Sequence, residues 1–259
     1  MGFETIQVET DKAVGVIRLN RPEARNALDM VMRVELKKAL QDFEDDTEIR
    51  AIILTGNDPA FCSGGDLRTM MEQEPGKGYR RLHDVQPLVK LMRDMSKPII
   101  ASVNGAAFGA GWSMALASDF VIASEKATFG QAFVKVGLVP DLGSMYLLPR
   151  IIGIPKAKEL MMTGKPISAV DAHALGIINQ VVPHEELWAA TMELAVKLAE
   201  GPPLALAFMK SALNQTSEID FATVLKYEAF SQDILFQTQD HKEGLQAFLE
   251  KRQPKFTGK

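Results

Sequence analysis

The hydrophobic and polar positions along the first part of the chain predict a β-hairpin followed by a helix. Residues 3–10 alternate apolar and polar side chains, and residues 13–19 follow after the polar pair Asp11-Lys12. Asp29 can cap a helix that begins at Met30, because its carboxylate can accept a hydrogen bond from a free backbone N–H. The apolar residues that give this helix a mostly helical period are Val34, Leu36, Leu40 and Phe43.

The rest of the chain alternates short apolar runs with amphipathic stretches, which predicts a mixed α/β fold. Buried strands are predicted at 50–55, 99–103, 120–124 and 178–182, with a short extended piece at 127–130. Helices are predicted at 79–95, 112–117, 144–148, 155–162, 168–176, 204–213, 221–236 and 242–251. A capping box of Ser168 and Asp171 starts the helix at 168–176. The loop Gly76–Gly78 precedes the helix at 79–95.

The clearest boundary in the sequence is Gly201-Pro202-Pro203. It divides a predicted catalytic domain, residues 1–200, from a predicted helical region, residues 201–259. The helices of this second region carry many large apolar side chains, which indicates docking onto another surface. Oligomerisation is therefore expected.

Composition excludes several classes of function. The chain has 259 residues, 46% of them hydrophobic, with a formal net charge of −4 and no basic block, so neither nucleic acid nor membrane is expected as a partner. The N-terminal residues do not resemble a signal peptide, and the single cysteine, Cys62, suits a reducing compartment, so a cytoplasmic protein is expected. The four histidines are scattered without metal-ligand spacing, and no metal site is predicted.

Two loops rich in small residues, 60–67 and 105–111, each follow a buried strand and precede a helix. A strand that breaks on small residues and restarts as a helix directs backbone N–H groups at one point. Two such loops can each supply one N–H donor to a single oxygen atom. The segment 105–111 lacks the GxGxxG spacing and the later acidic residue of a dinucleotide site.

These motifs resemble the enoyl-CoA hydratase/isomerase (crotonase) superfamily along nearly the whole chain. The segments that carry the resemblance are RPEARNAL at 21–28, AFCSGGDL at 60–67, KPIIASVNGAAFGAGWSMALASD at 97–119, ATFGQAFVKVGLVPDLG at 127–143 and GLQAFLEKR at 244–252. The resemblance implies a repeated ββα spiral followed by a helical trimerisation region, with trimers that often pair into hexamers. It also implies an acyl-CoA thioester as substrate, with no separate cofactor.

The resemblance further assigns roles to single residues. The oxyanion donors correspond to the N–H groups of Gly65 and Ala110. The residues expected to contact the bound thioester or its CoA are Ala24, Arg25, Gly65, Asp66, Leu67, Arg68, Ala110, Phe133, Phe248 and Lys251. Of these, Phe248 and Lys251 would reach the CoA from a neighbouring chain.

Hydratases of this superfamily use two glutamates to hold and deprotonate water, and the corresponding positions here are Ser113 and Phe133. Neither side chain can act as a general base. The carboxylate left in this neighbourhood is Asp141, where some isomerases of the superfamily carry their single catalytic acid. The hypothesis is a one-base shift of a double bond, from a 3-enoyl to a 2-enoyl thioester or within a cyclic acyl group. The competing interpretation is that Asp141 only caps the following helix.

Other functions stay open at this point. A hydratase would need another carboxylate, such as Asp66 or Glu125, although these resemble a loop or cap residue and a solvated turn. Hydrolysis or dehalogenation through Asp141 would need a group to activate water, for which His83 is a weak candidate and more simply a packing residue. A non-catalytic acyl-CoA-binding paralogue is a further alternative. Cys62 is interpreted as a small buried residue rather than a nucleophile.

Overall fold

The computed structural model describes residues 2–70 and 76–259, without the side chain of Met70. Ten strands lie in these segments: β1 (Ile6–Asp11), β2 (Val14–Leu19), β3 (Ala51–Gly56), β4 (Ala60–Cys62), β5 (Ile99–Val103), β6 (Ala106–Phe108), β7 (Phe120–Ser124), β8 (Thr128–Gly130), β9 (Ile167–Ser168) and β10 (Gln180–Val182). The predicted hairpin is confirmed, since β1 and β2 pair antiparallel.

The α-helices of the described segments are α1 (Met30–Asp45), α2 (Lys77–Asp94), α3 (Ala110–Ala117), α4 (Ser144–Ile152), α5 (Ile154–Thr163), α6 (Ala169–Ala174), α7 (Leu187–Ala199), α8 (Pro203–Leu213), α9 (Phe221–Phe236) and α10 (Gln239–Glu250). Short 3-10 helices cover Pro22–Ala24, Leu67–Met70, Ala132–Val136 and His184–Glu186. The predicted caps are confirmed: the Asp29 carboxylate accepts from the Met32 N–H, and Ser168 with Asp171 forms a capping box.

Two sheets organise the molecule. The larger has the strand order β1-β2-β3-β5-β7-β10, and all pairs after the hairpin are parallel. The smaller has the order β4-β6-β8-β9. Along the chain a strand of the larger sheet is followed by a strand of the smaller one and then by a helix, as in β3-β4-α2 and β5-β6-α3. This repeat winds the chain into a spiral of ββα units.

The inner strands β3 and β5 of the larger sheet are covered on both faces. Every residue of β3 and β5 is buried, as is typical of parallel strands with helices on either side. Alternate side chains of β3 enter two different cores: Ile52 and Leu54 join the larger core with α1–α3, whereas Ile53 packs in the smaller core under α7. The sheet thereby holds the strand ends, where the loops begin, in a rigid frame.

Several boundaries differ from the sequence prediction. Gly76–Gly78 is not a loop, because α2 begins at Lys77 with Gly76 as its N-cap residue. The helix predicted to stop near Pro149 continues to Ile152. The short strands β4 and β6 were not predicted, and β6 lies within the second small-residue loop. Helix α3 begins at Ala110 rather than at Trp112.

The C-terminal helices α8–α10 pack on the preceding part through a few polar contacts and expose large apolar side chains. Lys210 of α8 is buried and donates to the Asp119 carboxylate at 2.7 Å and to the carbonyl oxygens of Met92 and Lys97. Phe248 and Phe221 are 82% and 76% exposed. The division into two domains and the oligomeric state stay predictions. Within the described segments no helix combines the length and the hydropathy that a bilayer-spanning helix requires.

Candidate active site

A cavity of about 410 Å³ lies between the two small-residue loops, α1, α2 and the segment before α4. Its lining is mainly apolar, with three charged side chains among the described residues. The lining residues on which the chemistry depends are Gly65, Ala110, Phe133, Asp141, Arg33 and Arg81. The structure therefore brings the two predicted N–H donors and the predicted acid to one cavity.

The N–H group of Gly65 is left available by the way its loop pairs with the segment before α1. Leu28 and Gly65 form a parallel bridge, in which the Leu28 N–H donates to the Gly64 carbonyl at 2.8 Å and the Asp66 N–H donates to the Leu28 carbonyl at 3.2 Å. In such a bridge the Gly64 carbonyl and the Asp66 N–H pair with Leu28, whereas the N–H of Gly65 points away from Leu28. The backbone of Gly65 can therefore serve a ligand.

The second donor lies at the start of α3. Ala110 is the first residue of this helix, so its N–H belongs to the groups that have no acceptor within a helix. Gly109 before it has φ of 50°, and a Cβ on Gly109 would lie 3.8 Å from the Gly64 Cα, so the two loops are in contact. A Cβ on Gly111 would lie only 2.2 Å from the Cys62 carbonyl oxygen. Glycine at this position lets α3 approach the first loop closely enough for both N–H groups to face one cavity.

The backbone of Asp141 is held by three donors on its carbonyl oxygen. The Ser113 hydroxyl lies at 3.0 Å, the Ser144 hydroxyl at 2.9 Å and the Ser144 N–H at 3.1 Å. The next residue, Leu142, is buried with φ of 50°, a conformation that a branched side chain adopts only where its surroundings enforce it. Ser113 therefore positions the loop of Asp141 and supplies no base, since its hydroxyl is buried.

The side chain of Asp141 does not cap α4, so the competing interpretation from sequence is wrong. Gly143 occupies the N-cap position of α4, and no side chain caps it. The Asp141 Oδ1 atom is instead buried without a hydrogen-bond partner among the described residues. This carboxylate oxygen therefore lacks the donor that buried polar atoms usually have, and its side chain belongs to a residue that lines the cavity.

Burial raises the pKa of Asp141 to about 6, against the opposing effect of Arg33 and Arg81, whose positive charges lower it. A carboxylic acid with a pKa near neutrality can both accept and return a proton, as a general acid–base group must. Burial also lowers the pKa of Arg33 to about 10, so this guanidinium stays charged at neutral pH. Asp141 is thus ionised at pH 7 but readily protonated.

Arg33 and Arg81 were not identified from the sequence, although both leave a signal there. Arg33 stands three residues before Leu36 on the apolar face of α1 and is 7% exposed, whereas Val34, predicted to be buried, is 66% exposed. Arg81 stands four residues before the buried Val85 on α2. A charged residue at a position where the helical period requires an apolar one indicates a buried polar site.

The other predicted contact residues divide into those that line the cavity and those that do not. Leu67 and Phe133 line the cavity. The segment with Ala24 and Arg25 lies beside the first loop, where the Ser63 N–H donates to the Arg25 carbonyl at 3.0 Å. The residues outside the cavity lining in this chain are Ala24, Arg25, Asp66, Arg68, Phe248 and Lys251.

The side chains considered for hydration, hydrolysis or nucleophilic catalysis are paired with other residues, exposed or fully buried. Asp66 accepts from Arg21 at 3.1 Å and from the Arg68 N–H at 3.1 Å, as expected of a loop residue, and Glu125 is exposed. The His83 side chain is 71% exposed and outside the cavity lining. Cys62 is fully buried, and burial raises the pKa of its thiol to about 11, so it is not a nucleophile.

A sequence model of the enoyl-CoA hydratase/isomerase family matches residues 9–259. The chain belongs to this family. Among its relatives, a protein of Rhizobium meliloti named probable enoyl-CoA hydratase is 38% identical over 256 residues, which cover 99% of both chains. The 1,2-epoxyphenylacetyl-CoA isomerase of Escherichia coli K12 is 39% identical, over 99% of this chain and all of the relative.

Solved structures of the family confirm the expected fold. A crystal structure from Geobacillus kaustophilus HTA426, described as "Enoyl-CoA Hydrates Subunit I", matches with a TM-score of 0.94 and 38% identity over 99% of each chain. The ββα spiral and the C-terminal helices are therefore those of the crotonase fold. Because the relatives bear names of both hydratases and an isomerase, family membership identifies an enzyme of this family without selecting one reaction.

Proposed function

We propose that the protein isomerises acyl-CoA thioesters by moving a double bond into conjugation with the thioester carbonyl, with Asp141 as the single base. The observation that carries this proposal is that Asp141 is the one carboxylic acid among the described residues that line the cavity. The thioester oxygen would lie against the N–H groups of Gly65 and Ala110. These donors stabilise the negative charge that develops on that oxygen.

The reaction needs no second reactant. The Asp141 carboxylate removes a proton from C2 of a 3-enoyl thioester, and the electron pair delocalises over the dienolate and its oxygen. The protonated Asp141 then returns the proton to C4, the double bond moves to C2–C3, and the carboxylate is regenerated. A pKa of about 6 suits this role, because neither proton transfer is then strongly uphill.

Hydration is the second candidate, since several relatives are named hydratases. By the family resemblance a hydratase would hold its water between two glutamates. The positions that correspond to them carry Ser113, which is buried and hydrogen bonded to carbonyl oxygens, and Phe133, whose ring lines the cavity. Neither can deprotonate water, which favours isomerisation.

The test is to incubate the protein separately with 3-hexenoyl-CoA and 2-hexenoyl-CoA and to follow product mass and ultraviolet absorbance. Isomerisation forms the conjugated thioester without a change of mass, whereas hydration adds one water molecule. Asp141→Asn is expected to lower the isomerisation rate by about 10²–10⁴-fold. Asp84→Asn, on the exposed side of α2, serves as the control and should leave the rate unchanged.

A one-base mechanism also predicts where the hydrogen goes. In deuterated water, part of the product should retain at C4 the hydrogen that left C2, because the same carboxylic acid returns it. Complete exchange with solvent would point to two separate groups. An Asp141→Asn variant with unchanged turnover would reject the proposal.

A further inference from the structure

Side chains that line the cavity carry buried hydrogen-bond donors for which the described part of the chain supplies no acceptor. Among the described residues, the Arg33 Nε and Arg81 Nη2 atoms are buried and have no acceptor. The Asp141 Oδ1 atom is also buried and has no donor. Arg33 and Arg81 line the same cavity as Asp141, and each is close enough to lower the pKa of its carboxyl group. A buried polar atom without a hydrogen-bond partner is costly, so two guanidinium nitrogens and one carboxylate oxygen in this state, on side chains that line one cavity, indicate a site that a ligand completes.

The remaining contacts of the two guanidinium groups fix their position without satisfying them. Arg33 donates weakly to the Leu28 carbonyl at 3.4 Å, and Arg81 donates to the Thr69 carbonyl at 3.1 Å. Neither forms an ion pair within 4 Å of Asp141 among the described residues. Each planar group is therefore held from one side, while another N–H, buried at the wall of the cavity, has no acceptor among the described residues.

The charges around the cavity indicate whether the ligand group that binds there is charged or neutral. Arg21 pairs with Asp29 at 3.2 Å and with Asp66 at 3.1 Å, while Asp29 acts on Arg33 and Asp66 acts on Arg81. Among the described residues, the positive charges of Arg33 and Arg81 are therefore already opposed by the carboxylates of Asp141, Asp29 and Asp66. A second carboxylate in the cavity would leave an unbalanced negative charge beside Asp141, whereas a neutral oxygen would not.

From these contacts we infer that the acyl group of the substrate carries a neutral oxygen acceptor, of the ketone or ether class, which binds to the guanidinium groups of Arg33 and Arg81. This inference rests on the proposed function, because it takes the cavity to hold the acyl group of a CoA thioester. A plain hydrocarbon chain in the same place would bury the two N–H groups without an acceptor. The cavity therefore distinguishes oxygenated acyl groups from hydrocarbon ones.

The test measures binding rather than turnover, with saturated thioesters that cannot be isomerised. For each of three chain lengths, titration calorimetry compares a ketone with the thioester in which a methyl group replaces the ketone oxygen. The pairs are 4-oxopentanoyl-CoA with 4-methylpentanoyl-CoA, 5-oxohexanoyl-CoA with 5-methylhexanoyl-CoA, and 6-oxoheptanoyl-CoA with 6-methylheptanoyl-CoA. Succinyl-CoA, glutaryl-CoA and adipoyl-CoA supply the carboxylates of matching size.

For at least one chain length the ketone should bind about tenfold to a hundredfold more tightly than its methyl partner, as expected for a hydrogen bond to a charged donor. Arg81→Met and Arg33→Met should abolish this preference and change the Kd of the methyl partner about twofold or less. Arg80→Met, at the exposed neighbouring position of α2, should keep the preference. Circular dichroism melting checks that each variant is folded, and Arg81→Lys, which keeps the charge without the planar fork, should retain part of the preference.

Three results would overturn the inference: equal affinity within every pair, arginine variants that weaken both members of a pair equally, or tightest binding of the dicarboxylic thioesters. None of them bears on the isomerase proposal, which depends on Asp141 and on product analysis. Conversely, loss of the isomerase proposal would leave a measured ketone preference intact. The two proposals can therefore fail separately.

Discussion

The two walls of the cavity are built in different ways. The glycine-loop wall, residues 64–65 and 109–111, presents backbone N–H groups and depends on close contact between main chains. The charged wall, Arg33, Arg81 and Asp141, presents side chains from α1, α2 and the segment before α4, and these act on one another through charge. The first wall is fixed by sterics and the second by electrostatics.

This difference predicts different responses to substitution. On the glycine-loop wall an added methyl group must displace backbone, so small changes in volume should lower the rate and the stability together. On the charged wall the same fold can hold altered side chains, so substitutions should shift pH dependence and selectivity. Each prediction below tests one side of this comparison.

The largest effect is expected for Gly111→Ala. Its Cβ would lie 2.2 Å from the Cys62 carbonyl oxygen, so α3 must move and carry the Ala110 N–H with it. We expect kcat to fall about a hundredfold, near the cost of one oxyanion donor, and stability to fall by about 1–3 kcal/mol. Steady-state kinetics and urea unfolding measure both.

The matched control for this prediction is Gly78→Ala on α2, where a Cβ would meet no atom of the described residues within 4 Å. Alanine at a helical position with free space should raise stability by about 0.5–1 kcal/mol. If Gly111→Ala behaved like Gly78→Ala, the glycine-loop wall would not depend on close contact.

The next effect concerns pH. Activity should rise with pH around 6, because Asp141 must be ionised to accept a proton and its pKa is about 6. Arg33→Met removes a charge that lowers this pKa, so the midpoint should move to higher pH. The rate at pH 6 should then fall about tenfold more than the rate at pH 8.

A profile of kcat/KM against pH for the Arg33→Met variant measures this shift, and Arg33→Lys, which keeps the positive charge, should move the midpoint less. An unchanged midpoint with a uniformly lower rate would mean that Arg33 acts on the substrate or the fold alone.

The smallest effect concerns stability. The pKa of Asp141 in the folded protein, about 6, lies above that of an exposed aspartate, so the folded state binds more protons between pH 4 and 6, and stability is lost as pH rises through that range. Asp141→Asn should therefore be about 1–2 kcal/mol more stable than the unsubstituted protein at pH 7.5 and nearly equal to it at pH 4.

Urea unfolding at the two pH values tests the sign of this effect. Asp119→Asn provides the contrast: the half-buried Asp119 carboxylate pairs with the Lys210 ammonium at 2.7 Å, and the Lys210 side chain is only 7% exposed, so the replacement leaves this ammonium without its charged partner and should destabilise the protein. Equal changes in the free energy of unfolding for the two variants would contradict the proposal that burial of the ionised Asp141 destabilises the folded protein.

Sequence patterns identified the features that depend on local chemistry. The buried strands, the Asp29 cap and the Ser168–Asp171 capping box all follow from residues next to one another along the chain. The resemblance to a known family then placed Gly65, Ala110 and Asp141 among the site residues, and the structure brings all three to one cavity.

The features that were missed depend on contacts between distant segments. Strands β4 and β6 have only three residues each, without β-branched side chains, and exist because they pair with one another. The role of Arg33 becomes visible only when α1, α2 and the loop of Asp141 enclose one space, although its place on an apolar helix face was a local signal. Helical periodicity reveals such a residue without revealing its partner.

The hydrogen bond from Ser113 to the Asp141 carbonyl has a consequence for how such a protein can acquire new substrates. Ser113 and Ala110 lie about one turn apart on α3, so a single short helix sets both the proposed anchor of the thioester oxygen and the anchor of the proposed proton carrier. Substitutions on α1 or α2 can reshape the space for the acyl tail while the distance between carbonyl and base is preserved. Except at Arg33 and Arg81, whose charges act on Asp141, reactivity and tail preference are therefore separable by design, and new specificities can arise without rebuilding the reaction centre.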